Sequence, residues 1–146
     1  MLYIDTSFLA PLFLQEPTSA RIERFLSLQP AGDLAISHWS RVEFSSLLAR
    51  EVRMGSLDPQ AALDADAEFE AVARESFVVL LPTQEDFDLS KEYLQRYATG
   101  LRAGDALHLA IATNHGAMRI YSLDKTLLKA GKRLGLPVGS RTRRAD

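Results

Sequence analysis

Leu2-Tyr3-Ile4-Asp5-Thr6-Ser7-Phe8-Leu9-Ala10 opens the chain with an apolar triplet, a carboxylate, two hydroxyls and a second apolar run. The triplet reads as a short buried strand, followed by a helix that starts near Thr6 or Ser7. A strand feeding directly into a helix is the first half of a βαβ unit, and the rest of the chain continues the alternation. Thr18-Ser19 opens a second helix. Leu34-Ala35-Ile36 leads into a helix over about 38–54 that Gly55 terminates. Asp58-Pro59 is an N-cap with proline at the first helical position, opening an alanine-rich helix to about Glu75. Val78–Leu81 is a third strand stopped by Pro82. Thr83 caps a helix to about Ala98, broken by Gly100, and another helix spans about 104–114. Arg119–Ser122 is a fourth strand, and the helix Lys125–Leu134 is closed by Gly135. Leu136-Pro137-Val138 adds a short edge strand. Short strands apolar on both faces, alternating with helices, predict an α/β fold with a parallel sheet covered on both sides.

The chain has 146 residues, 47% of them hydrophobic, which is enough for one domain with its own core. With no cysteine, disulfide frameworks and thiolate zinc sites are excluded. No apolar run approaches the roughly 18–20 residues of a membrane span, so a cytoplasmic protein is expected. The net charge of −2 conceals a division. Residues 1–92 carry seven basic and sixteen acidic side chains, whereas residues 93–146 carry ten and three.

In open α/β sheets, ligands bind beyond the carboxyl ends of the strands. Asp5 follows the first strand and Asp124 the fourth. Glu43 lies in the first two turns of the helix after the second strand, and Asp105 begins the helix Asp105-Ala106-Leu107-His108-Leu109-Ala110. Singly, each has an ordinary reading: Asp5, Asp105 and Asp124 as helix caps or first-turn acids, and Ser40-Arg41-Val42-Glu43 as a capping box. Together, four carboxylates at one end of a sheet repel one another and call for a cation. Oxygen donors without cysteine suit a hard ion such as Mg²⁺ or Mn²⁺. Aspartyl-phosphate chemistry is disfavoured. Ser7 stands where a second aspartate would be needed, and Leu81-Pro82 follows the third strand where a receiver needs its acceptor.

Tyr3-Ile4-Asp5-Thr6-Ser7, Glu43 within a helix, Leu101-Arg102 before Gly104–Ala110, and Ser122-Leu123-Asp124 together resemble the PIN-domain ribonucleases. The likeness is to the VapC toxins of VapBC-type pairs and extends over essentially the whole chain. It implies a three-layer α/β/α sandwich over residues 1–146, with a basic tail at about 139–146. It also implies Mg²⁺- or Mn²⁺-dependent hydrolysis of RNA phosphodiesters. Asp5, Glu43, Asp105 and Asp124 match the family's metal-binding acids, and Thr6 and Ser122 the hydroxyls supporting them. A VapB-like antitoxin partner and a homodimer are further family expectations. Other PIN nucleases act in RNA maturation or on single-stranded DNA, and a non-catalytic PIN module binding RNA or protein is the alternative of a different class. Gly104, where relatives often carry a bulkier residue, is expected to loosen the helix start.

Three further features carry expectations. Lys125, Lys129 and Lys132 form one stripe of the last helix and are candidates for RNA phosphate contact. Phe8–Leu14 is apolar all round, so part covers the sheet and the remainder packs under neighbouring helices or meets a partner, with Phe13 as the residue to test. His108 reads as a packed helix histidine, because His38 and His115 are remote and no zinc set forms.

Overall fold

The computed structural model describes residues 1–142. Arg143 and Arg144 of the expected basic tail lie outside the described residues. Five strands form one parallel sheet: β1 (Leu2–Ile4), β2 (Leu34–Ser37), β3 (Val78–Leu80), β4 (Arg119–Tyr121) and β5 (Val138–Gly139). Their spatial order is β3-β2-β1-β4-β5, with Tyr3 opposite both Ala35 and Ile120. The strands are short because an acid, a serine or a proline soon follows each apolar run. β3 ends at Leu80 and β4 at Tyr121, one residue earlier than the apolar runs predict.

Alternation along the strands sorts the helices into two layers. Leu34, Ile36 and Ile4 face α1 (Thr6–Phe13), α2 (Ser19–Ser27), α3 (His38–Arg53) and α4 (Pro59–Ser76). Tyr3, Ile120 and Val138 face the other way, against α6 (Ala103–Asn114) and α7 (Lys125–Arg133). Tyr93 of α5 (Gln84–Gln95) packs into that second layer. The α/β/α sandwich therefore follows from side-chain alternation in β1, β2 and β4. The chain moves outward from β1 through β2 to β3, then crosses to β4 on the far side of β1. That reversal puts a crevice beyond the ends of β1 and β4, the usual place for a ligand in an open sheet.

The first layer is held by an aromatic cluster. Phe44 and Phe69 stack with centroids 4.4 Å apart, and Phe13 meets both edge-on at 5.5 and 5.4 Å. Phe13 is buried, so of the two expectations for Phe8–Leu14 it takes the packing one rather than the partner surface. Arg41 on α3 donates to Glu70 on α4 at 2.8 Å, and Ser45 donates to Asp66 at 3.2 Å.

Two boundaries differ instructively from expectation. The helix predicted to reach Ala98 ends at Gln95, and Tyr97–Thr99 forms a separate 3-10 turn that Gly100 closes with φ of 70°. The capping box of α3 is Ser37 with Ser40, not Ser40 with Glu43. β2 runs into α3 without a loop, so Ser37 ends the strand and caps the helix at once. Glu43 is thereby released from capping duty. No helix among the described residues is long and apolar enough to cross a membrane.

Candidate functional site

A cleft of about 630 Å³ opens beyond the ends of β1 and β4, and Asp5, Glu43, Asp105 and Asp124 all line it. Four separate elements deliver them. Asp5 immediately precedes α1, Glu43 lies in the second turn of α3, Asp105 is in the first turn of α6, and Asp124 precedes α7.

Asp5 occupies the N-cap position of α1, but its side chain makes no cap. Its Oδ2 instead accepts hydrogen bonds from the hydroxyls of Ser7 and Ser122, the latter at 2.7 Å. Ser7 Oγ in turn accepts from the backbone N–H groups of Leu123 and Asp124 at 3.0 and 3.2 Å. Ser7 thus ties the end of β1 to the end of β4. Its adjacency to Asp5 was visible in the sequence, but its bridging role depends on β1 lying beside β4.

Glu43 Oε1 accepts from Thr6 Oγ1 at 2.7 Å and from Nε2 of His108. His108 is fully buried, and its Nε2 is 3.3 Å from Asp5 Oδ1. Its Nδ1 meets the hydroxyl of Tyr3 at 2.7 Å, and that hydroxyl donates to Ser37 Oγ at 3.0 Å. His108 is the packed helix histidine expected, but it also sits against two of the four acids, which the sequence did not show. Burial opposes its charge, but the Tyr3 oxygen, Asp5 and Glu43 outweigh that and hold the imidazole well above its usual range. Glu43 moves the opposite way. Burial raises it, yet the hydrogen bond and charge of His108, with Thr6 and Arg102, hold it below the ordinary carboxylate value. Asp5, Glu43 and His108 each bring a donor atom within 4.8 Å of the others.

Asp124 does cap α7, as the sequence suggests: Oδ1 accepts from the N–H groups of Thr126 and Leu127 at 2.7 and 3.0 Å. Its other oxygen, Oδ2, is 3.3 Å from Arg102 Nη2. Asp105 is not a cap. Its Oδ2 is buried without a hydrogen-bond partner, and the Nε of Arg102 is 3.6 Å away. The carboxyl is pushed up to about 6, chiefly by burial and then by the charge of Asp124, with Asp5 and Glu43 adding and Arg102 opposing.

A Cβ at Gly104 would lie 2.9 Å from Glu43 Oε2 and 3.3 Å from the Trp39 ring, so a side chain there would require the Glu43 carboxylate to shift. Trp39 is partly buried on the wall between this cleft and an apolar groove of about 580 Å³. The lysine stripe is exposed, and Lys125, Lys129 and Lys132 do not line the cleft. The cations that do are Arg50, Arg53 and Arg102. Sequence reasoning missed Arg50 and Arg53. They lie about two and three helical turns beyond Glu43 on α3, a spacing that could have found them.

The state of Asp105 has a thermodynamic consequence. A carboxyl raised from 3.8 to about 6 keeps its proton in the folded state where the unfolded chain has lost it. Its contribution to stability therefore falls as pH rises from about 4 to about 6, and stays low above that. Asp105→Asn removes this loss. In cation-free buffer the variant is expected to be more stable than wild type at about pH 7 by on the order of 1 kcal/mol, and no more stable at about pH 4. Thermal melts across pH check it; a gain that is the same at both ends would contradict the assignment.

The profile of the PIN domain matches residues 2–133. Among curated proteins no sequence matches significantly. The fold is similar to VapC20 of Mycobacterium tuberculosis, described as a sarcin-ricin-loop-cleaving toxin, with a TM-score of 0.70 and 23% identity over 90% of this chain and 95% of that one. It is similar to the Pyrobaculum aerophilum protein PAE2754, with a TM-score of 0.61 and 25% identity over 88% of this chain and 78% of that one. A chain of VapBC-1 from nontypeable Haemophilus influenzae gives a TM-score of 0.67 and 17% identity over 98% and 100%. The sheet order, the crevice at its switch point and a family match spanning most of the sequence agree, and the chain belongs to the PIN domain family.

Proposed function

We propose that this chain is a divalent-cation-dependent endoribonuclease and the toxin of a type II toxin–antitoxin pair. The observation that carries the reading is the convergence of Asp5, Glu43, Asp105 and Asp124 on one cleft of a PIN domain. The donor set fits a hard ion such as Mg²⁺ or Mn²⁺. It is rich in carboxylate oxygens, and it includes a buried Asp105 oxygen with no hydrogen-bond donor. VapC20 is described as cleaving the sarcin-ricin loop, which supports RNA as the substrate class and a cytoplasmic site of action.

Asp5, Asp105, Asp124 and Glu43 would hold the ion. When bound, a hard divalent cation activates a water and neutralises charge developing on the phosphoryl group. Ser7 and Ser122 fix the Asp5 carboxylate by donating to Oδ2, while Oδ1 lies 3.3 Å from His108 Nε2. Thr6 orients Glu43 in the same way. His108 supplies positive charge beneath Asp5 and Glu43, which helps hold Glu43 below the ordinary carboxylate value despite burial. Arg50 and Arg53 on the cleft wall would meet the phosphate backbone. The exposed Lys125, Lys129 and Lys132 would extend that positive surface along α7 from Asp124.

The solved relatives include VapBC and FitAB toxin–antitoxin structures, which supports a VapB-like antitoxin as partner. Beside the cleft, the apolar groove between α3 and α5, where Val42 is 57% and Phe87 53% exposed, offers surface to an antitoxin or to a second copy in a homodimer.

Digestion of total cellular RNA tests the reading. The purified protein is expected to cleave in Mn²⁺ and to stop in EDTA, and Asp5→Asn is expected to be inactive in both. Equal cleavage by the variant, or cleavage that persists in EDTA, would remove the mechanism.

A further inference from the structure

Arg102 sits just before α6 and reaches across the mouth of the cleft. Its Nε lies 3.6 Å from Asp105 Oδ2 and its Nη2 3.3 Å from Asp124 Oδ2. Among the described residues it is the one cationic side chain paired with either acid. The cleft is therefore held from two sides in different ways. On the buried side, His108 is fully buried against Asp5 and Glu43. On the open side, Arg102 is 73% exposed, and both of its contacts are long. Its nearness does not satisfy Asp105, whose Oδ2 still lacks a hydrogen bond.

We propose that Arg102 is an exchangeable occupant of the cation site and becomes a substrate-phosphate ligand once a divalent ion displaces it. This rests on the nuclease reading given above. A divalent ion held by these acids would satisfy the buried Asp105 oxygen that the guanidinium leaves unmet. It also repels a guanidinium at this distance, so the two cannot share the acids. The released side chain keeps its anchor at the start of α6 and remains at the mouth of the cleft. The anion that arrives there is the phosphodiester. A guanidinium matches two phosphate oxygens through paired N–H donors, which an ammonium cannot do. Arg102 thus limits repulsion in the empty cleft and afterwards holds the substrate against the same carboxylates. Arg50 and Arg53 line the cleft without touching Asp105 or Asp124, so exchange is particular to Arg102.

Two binding measurements on the full chain test this, comparing wild type with Arg102→Met and Arg102→Lys. In calorimetric titration with Mn²⁺ alone, Arg102→Met is expected to bind about two- to fivefold more tightly than wild type, the range of one exposed ion pair removed as competitor. Binding of a short single-stranded oligoribonucleotide in Ca²⁺ is expected to weaken in Arg102→Met. The slope of log affinity against log salt should shrink by about 0.7, one phosphate contact. Arg102→Lys should keep that slope while binding the oligonucleotide less tightly than wild type. Unchanged or weaker Mn²⁺ binding by Arg102→Met would overturn the displacement, and an unchanged salt slope would overturn the phosphate contact. Cleavage of the same oligonucleotide by wild type in Mn²⁺ is read separately. If it fails while the Mn²⁺ affinities differ as expected, the nuclease reading falls and the competition between Arg102 and the ion stands.

Discussion

His108→Phe is expected to lower the melting temperature of the cation-free protein by about 10 °C, from a loss of about 3–5 kcal/mol. Phenylalanine keeps the ring against Tyr3, which His108 meets edge-on at 5.8 Å, but removes both nitrogens. Glu43 then loses one of its two described donors, and Asp5 loses its nearest positive charge. A buried ion pair contributes little net stability, but stripping one member leaves charge that the site cannot solvate. The sign with pH follows from the raised imidazole. Its contribution is complete below about pH 6.5 and is lost as pH rises through its elevated folded value, so the gap between wild type and variant should narrow toward alkaline pH. Mn²⁺ should recover part of the loss, because an ion on the carboxylates replaces the missing charge. His108→Gln separates the causes by restoring a donor without a charge, and should fall between the two. Melting by circular dichroism reads all of this. A loss under about 1 kcal/mol for His108→Phe would mean that the imidazole is neutral and only packs.

Phe13→Ala is expected to cost about 3–5 kcal/mol, the range for deleting a buried aromatic ring. The ring fills the angle between the stacked pair Phe44 and Phe69, so its removal leaves a cavity among α1, α3 and α4. The variant is expected to show this as a lower denaturation midpoint with an unchanged slope, and no change in association beyond what instability explains. The same contact sets the site. Thr6 begins the helix that Phe13 ends, and Glu43 precedes Phe44, so the Thr6–Glu43 hydrogen bond depends on α1 and α3 keeping their distance. A well-folded Phe13→Ala protein with changed association would restore the partner-surface expectation.

These two cases mark where the sequence was legible. Leu2-Tyr3-Ile4-Asp5 and Arg119-Ile120-Tyr121 announce strands because their apolar runs are short and end in polar residues. The four acids were legible as a set because all four lie near the starts of helices, which a parallel sheet gathers at one end. What joins them was not legible. His108 touches Glu43 across 65 residues and Asp5 across 103 only because α6 packs on the face of β1 that carries Tyr3. The spacing of Arg102 to Asp105 is local, but its reach to Asp124 needs β4 beside β1. Ser40-Arg41-Val42-Glu43 misled because a capping-box pattern is short, and Ser37 had already begun the helix. The nearness of Gly104 to the Glu43 carboxylate was not legible either, because it needs α3 beside α6.

The proposed nuclease requires the four carboxylates to act as one cation-binding centre. Calorimetric titration of Mn²⁺ into wild type and into Asp5→Asn at neutral pH tests it most directly, with thermal melts on the same samples. Saturable binding by wild type with a rising melting temperature, and loss of both in Asp5→Asn, is the predicted result. Heat and melting temperature that stay flat in wild type across millimolar Mn²⁺, or that change equally in Asp5→Asn, would contradict it.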